Sequence, residues 1–186
     1  MITILVPLAN GFEEIEAVSI IDVLRRAEIE VIVASLNENL LVKGANSIEI
    51  KADVELKDVS IESLDMIALP GGWDGTYALA DDTNVQNILK DMDARGKPIG
   101  AICAAPFALN KAGVLKNKYT CYPSVEEQIQ KDGYMGDEKM VVEDENIMTS
   151  RGIGTALCFA LEIVKKFKGI ETYKAIKSGI LADSCN

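Results

Sequence analysis

Ile2-Thr3-Ile4-Leu5-Val6-Pro7-Leu8-Ala9 is a short, nearly continuous apolar run, the pattern of a strand covered by helices on both faces. Glu13 to Ala27 changes period. Ile15, Val18, Ile21 and Leu24 fall at helical spacing and predict one apolar stripe. Glu30 to Leu36 returns to a β-branched run, so strand, helix and strand follow one another in a single βαβ unit.

The same rhythm extends along the chain. Two short segments around Gly44-Ala45-Asn46 predict a hairpin or edge excursion, and Asp65–Leu69 and Pro98–Cys103 predict buried strands with a helix over Val85–Met92 between them. A helix over Ala105–Ala112 and a strand over Tyr119–Tyr122 follow. Lys139–Val142 and Ile147–Thr149 then predict a hairpin turned at Asp144-Glu145-Asn146. Helices are expected over Thr155–Phe167 and Thr172–Ile180. This alternation predicts an α/β fold, a doubly wound parallel sheet with a small antiparallel accessory hairpin. With 186 residues and no repeat or linker, one domain over 1–186 is expected.

Composition removes several functions. Nineteen Lys and Arg against 29 Asp and Glu give a net charge of -10, which opposes non-specific attraction to nucleic acid or anionic lipid. There is no histidine, so a Ser-His-Asp triad, a Cys-His dyad and any imidazole metal site are impossible within the chain. Cys103, Cys121, Cys158 and Cys185 form no CxxC pair and suggest free thiols in a reducing compartment. The apolar N-terminus lacks a basic region and does not read as a signal peptide. The longest apolar stretch, Ile99 to Leu109, is too short to span a bilayer. A cytoplasmic protein is expected.

In open α/β sheets ligands gather beyond the carboxyl ends of strands. Four such exits carry unusual residues: Asn10 to Glu16, Pro70 to Gly75, Cys103 to Pro106 and Ser150 to Thr155. In Ala101-Ile102-Cys103-Ala104-Ala105-Pro106 the small residues on either side of Cys103 suit a sharp strand-to-helix elbow with a nucleophile at its apex. A helix N-terminus there favours a thiolate; the plain alternative is an inert buried cysteine. Gly71-Gly72 offers unobstructed N–H groups for an oxyanion, or simply a glycine turn. Gly152 and Gly154 lack the third glycine of a dinucleotide fingerprint, so nucleotide binding is rejected and Thr155 reads as a helix cap. Glu13 and Glu14 read as a solvated helix start, and periodicity leaves the direction of Glu16 open.

Taken in order, Gly11-Phe12-Glu13-Glu14-Ile15-Glu16, Asp22 to Ala27, Leu69-Pro70-Gly71-Gly72, Ala101 to Pro106 and Thr149-Ser150-Arg151-Gly152-x-Gly154-Thr155 closely resemble the ThiJ/PfpI superfamily, nearest its parkinsonism-associated protein deglycase branch and bacterial relatives. The resemblance runs from Met1 to about Lys177. It implies a flavodoxin-like sandwich, a homodimer, Cys103 on a nucleophile elbow, Glu16 hydrogen-bonded to its sulfur, and oxyanion donors at Gly71, Gly72 and Ala104, with Tyr122 and Arg151 lining the site. A neutral Glu16 would donate to the sulfur and lower the thiol pKa, whereas a carboxylate would raise it.

Where relatives carry a histidine, directly after the cysteine or before a later proline, this chain has Ala104 and Tyr122. That argues against peptidase activity. What the resemblance implies is a glyoxalase or deglycase acting on methylglyoxal-type dicarbonyls or their early amine and thiol adducts, with no metal, nucleotide or prosthetic group. The alternative is a redox sensor or chaperone-like stress protein built on an oxidisable Cys103.

Overall fold

The computed structural model describes residues 1–185. Its elements run β1 (Thr3–Leu8), α1 (Glu14–Arg26), β2 (Glu30–Ser35), β3 (Leu41–Lys43), β4 (Glu49–Lys51), β5 (Val54–Glu55), β6 (Met66–Leu69), α2 (Trp73–Asp81), α3 (Thr83–Ala94), β7 (Ile99–Ile102), α4 (Pro106–Ala112), α5 (Val125–Ile129), β8 (Val141–Asp144), β9 (Ile147–Ser150) and α6 (Ala156–Gly179). Seven strands form one sheet in the order β5-β2-β1-β6-β7-β9-β8, parallel except for β8 against β9. All six residues of β1 are buried, as a central strand covered on both faces requires. One core packs α1 and α6 on one face of the sheet, and a second packs α2 to α5 on the other. The architecture is the flavodoxin-like α/β sandwich.

The chain moves outward from β1 to β2 and later returns to the other side of β1 with β6. The carboxyl ends of β1 and β6 therefore flank the topological switch point, where connections diverge and leave a crevice. Glu13 N–H donates to the Gly71 carbonyl at 2.9 Å, tying the two exits together. Gly72 makes the approach possible. Its φ is +88°, and a Cβ there would lie 2.2 Å from the Gly11 carbonyl oxygen, so only glycine fits.

The hairpin expected around Gly44 forms the separate antiparallel pair β3–β4, and the one expected over 139–149 joins the edge of the main sheet as β8–β9. Other expectations need correction. Tyr119–Tyr122 is not a strand: it makes one isolated bridge, Tyr119 to Tyr134, and the Thr120 N–H is taken by the Thr149 hydroxyl. The edge it would extend is already occupied, because β9 pairs on both sides. Helix α2 begins inside what reads as a glycine loop. The two C-terminal helices form as expected, α6 being two helices separated by a kink at Gly169, whose φ is +81°.

The largest correction concerns α1. Ala17, Ile20, Val23 and Leu24 face the core, while Ile15 is 55% and Val18 49% exposed. This helix is apolar on two sides. Spacing alone does not rank two stripes of equal period, and the small Ala17 hides the one that packs.

Candidate active site

Cys103 sits between β7 and α4 at φ +64°, a left-handed conformation rare outside glycine. Such strain needs support from both flanks. The Cys103 N–H donates to the Ser150 carbonyl at 3.0 Å, and its own carbonyl accepts from the Tyr122 N–H at 2.9 Å. Ala101 and Ala105 are fully buried, so the elbow has no room for larger side chains. The backbone N–H groups of Gly72 and Ala104 lie beside the Cys103 sulfur and pull its pKa down.

Glu16 lies in the first turn of α1 and is fully buried. Its Oε2 accepts from the Gly71 N–H at 2.8 Å, and its carboxyl lies beside the Cys103 side chain. Gly71 allows this convergence: a Cβ on it would lie 2.6 Å from Cys103 Cβ, 2.7 Å from Glu16 Oε2 and 3.0 Å from the sulfur. Because its N–H is committed to Glu16, Gly71 is not free to be the oxyanion donor expected of it, whereas the Gly72 and Ala104 N–H groups face the Cys103 sulfur.

Burial pushes the Glu16 carboxyl up to about 7 against the hydrogen bonds from Gly71 and Cys103. The thiol is likewise pushed up, to about 12, first by burial and then by the charge and hydrogen bond of the Glu16 carboxylate, with the Gly72 and Ala104 N–H groups pulling down. The expected acidification is thus reversed while Glu16 is ionised. Protonating Glu16 removes both of its contributions and leaves a donor beside the sulfur.

Cys103 and Glu16 open onto a cavity of about 640 Å³. Trp73, Tyr122, Pro123 and Ile153 supply apolar wall, and Arg151 stands at the polar side. Tyr122 is 50% exposed at the mouth. Glu16 Oε1 and Arg151 Nε are buried without a hydrogen-bond partner among the described residues. Thr155 stands at the N-cap of α6 as expected, but its hydroxyl makes no cap bond and ties the wall, accepting from the Arg151 and Gly152 N–H groups at 3.3 and 3.2 Å. Trp73 and Ile153 carry no chemical signature that sequence reasoning could use; only the fold brings them to the cavity.

The remaining acids and cysteines depart from expectation. Glu14 is buried, not solvated, and accepts from the Asn46 N–H and side-chain amide at 2.6 and 3.0 Å. Burial pushes its pKa up, yet these bonds outweigh it and hold the carboxyl below the ordinary value. Glu13 caps α1 through the Ile15 N–H. Cys121 is buried and free, while Cys158 and Cys185, read as free thiols, are joined in a disulfide.

The DJ-1/PfpI family pattern matches residues 2–166. Drosophila melanogaster Protein dj-1beta is 42% identical over 178 residues, covering 95% of each chain. Caenorhabditis elegans Glutathione-independent glyoxalase DJR-1.2 is 38% identical over 159 residues, 86% of this chain and 84% of the relative. Schizosaccharomyces pombe Glutathione-independent glyoxalase DJ-1 is 29% identical over 184 residues, 95% and 96% of the two chains. The crystal structure of Drosophila DJ-1beta superposes with a TM-score of 0.93 at 41% identity, over 97% of both chains.

Proposed function

The chain belongs to the DJ-1/PfpI family, and we propose that it is a cysteine-dependent, cofactor-independent glyoxalase and deglycase. Its substrates in this reading are methylglyoxal-type dicarbonyls or their early amine and thiol adducts. One observation carries it: a strained Cys103 whose sulfur meets two backbone N–H donors and the protonatable Glu16 at the floor of a cavity. Two relatives named glutathione-independent glyoxalases support the substrate class.

The steps follow from the chemistry present. Cys103 gives its proton to the Glu16 carboxylate, the sulfur adds to the aldehyde carbon of methylglyoxal, and Glu16 passes that proton to the oxygen of the resulting hemithioacetal at the Gly72 and Ala104 N–H groups, which leaves Glu16 ionised. Glu16 moves a proton from that carbon to the adjacent carbonyl carbon through an enediol, which converts the adduct into a lactoyl thioester. Water then cleaves the thioester, releasing lactate and regenerating the thiol. No oxidant or reductant is consumed, and the absence of histidine disfavours peptidase chemistry. The experiment is methylglyoxal turnover on the pure protein and on Cys103→Ala, with lactate measured as product. Lactate formation that persists in the variant overturns the mechanism.

The reading places the protein in the cytoplasm as a homodimer, with no nucleic-acid or membrane partner. Ile15 and Val18 on α1, with Leu41 and Ile48 on the β3–β4 hairpin, are exposed apolar residues suited to a two-fold partner. Among the described residues no helix is long and apolar enough to cross a membrane. A second reading, a redox sensor, uses the same thiol. Cys103 is partly exposed where Cys121 is buried, so an oxidant reaches it first.

A further inference from the structure

The Cys158–Cys185 disulfide lies apart from the catalytic cavity and has no part in the mechanism above. Cys158 stands in the first turn of α6, just beyond Thr155, whose hydroxyl holds the Arg151–Gly152 wall. Cys185 ends a short segment that follows α6. Among the described residues, the backbone hydrogen bonds donated by Ile180, Leu181, Ala182 and Cys185 reach only residues 176–182, so none ties this segment to the sheet or to the start of α6. That connection is made by the packing of Ala182 and Cys185 into the core and by the disulfide. Both cysteines are more than nine-tenths buried, yet they line a second cavity of about 560 Å³ together with Glu143, Glu162, Lys165 and Tyr173. The bond therefore lies in the wall of a cavity large enough to admit a small reagent.

We propose that Cys158–Cys185 is a thiol–disulfide exchange site whose state fixes the C-terminal segment and, through the first turn of α6, the Arg151–Thr155 wall of the catalytic cavity. A dithiol entering the second cavity attacks one sulfur as its thiolate. The Cys158–Cys185 bond breaks and a mixed disulfide forms. The second thiol of the reagent closes on the first, leaving two protein thiols and a cyclic disulfide. In the reverse direction hydrogen peroxide takes two electrons from the thiol pair, the S–S bond forms, and two waters leave. Such reversibility reconciles a disulfide with the reducing compartment proposed above. The site is independent of Cys103, so it stands or falls apart from the glyoxalase reading.

Thiol counting and amide exchange test it. Protein purified in air and alkylated while unfolded should take two alkyl groups, on Cys103 and Cys121, and four after dithiothreitol. In the folded protein, dithiothreitol should speed amide exchange at Ala182 and Cys185 roughly tenfold or more, with a smaller increase across Arg151–Thr155. Cys185→Ser should exchange at the fast rate with or without reductant. In Cys103→Ala, peroxide should restore slow exchange after reduction. Four alkyl groups on unreduced protein would overturn the proposal, as would wild-type exchange that ignores reductant. A response confined to the C-terminal segment would overturn the link to the cavity wall.

Discussion

Replacing Glu16 with glutamine should abolish one specific pH dependence of stability. The native carboxyl titrates at about 7 against an ordinary value of 4.5, so between these values the folded protein holds a proton that the unfolded chain has released. Stability contributed by that proton is fully present below the unfolded value and is lost as pH rises through the folded one. Integrating the difference in bound protons from about pH 5 to about pH 8 gives a loss of about 2.5 kcal/mol. The amide of Glu16→Gln keeps an acceptor for the Gly71 N–H and a donor for the sulfur, but it cannot ionise.

Urea unfolding of both proteins at the two pH values measures the effect directly. The Glu16→Gln variant should gain about 2.5 kcal/mol relative to wild type on going from the lower to the higher pH, with equal m values. Groups that do not contact Glu16 titrate alike in both proteins and cancel; Cys103, whose pKa depends on the Glu16 charge, is taken out of the comparison by repeating it in a Cys103→Ala background. Turnover should move the opposite way, falling by about a hundredfold or more because the amide carries no proton to the enediol. If the stability gap between the two proteins is the same at both pH values, Glu16 does not change charge near neutrality and its proposed role fails.

Gly71→Ala places a methyl 2.6 Å from Cys103 Cβ and 2.7 Å from Glu16 Oε2; iodoacetamide labelling of Cys103 and lactate formation should both fall by about tenfold or more. Light scattering should return about twice the 20.1 kDa chain mass, and Val18→Asp on the exposed face of α1 should shift it toward the single-chain value; a wild-type monomer at micromolar concentration would refute the dimer. Under mild peroxide, peptide mapping should find oxidation at Cys103 well before Cys121, because Cys121 is buried.

How much of this was legible depends on which physical signal each residue leaves in the sequence. The parallel sheet was legible because buried strands such as Thr3–Leu8 and Ile99–Ile102 read as apolar runs, and the elbow because Cys103 sits among small residues that only a sharp turn needs. The buried face of α1 was not, since Ile15 and Val18 repeat with the same period as Ile20 and Val23. Glu14 read as a solvated helix start, yet its partner Asn46 comes from a hairpin far along the chain. The disulfide was hidden for a related reason. Its cysteines are separated by 27 residues, and only the turn of the chain after α6 brings them together.

The absence of histidine gives Glu16 its importance. A proton carrier for chemistry near neutral pH must titrate there, and imidazole does so without help. A carboxylic acid reaches the same range only when burial penalises its charge, and Glu16 is fully buried with one oxygen on the Gly71 N–H and the other without a partner among the described residues. The cost is that its charge adds to burial in suppressing the neighbouring thiol: with Glu16 ionised, burial first and that charge second push Cys103 up to about 12. Reactivity therefore belongs to the form of the pair in which the carboxyl holds the proton and the sulfur does not. Protonated Glu16 then donates to a thiolate already facing the Gly72 and Ala104 N–H groups, and the same proton is in place for delivery once the sulfur has bonded to carbon.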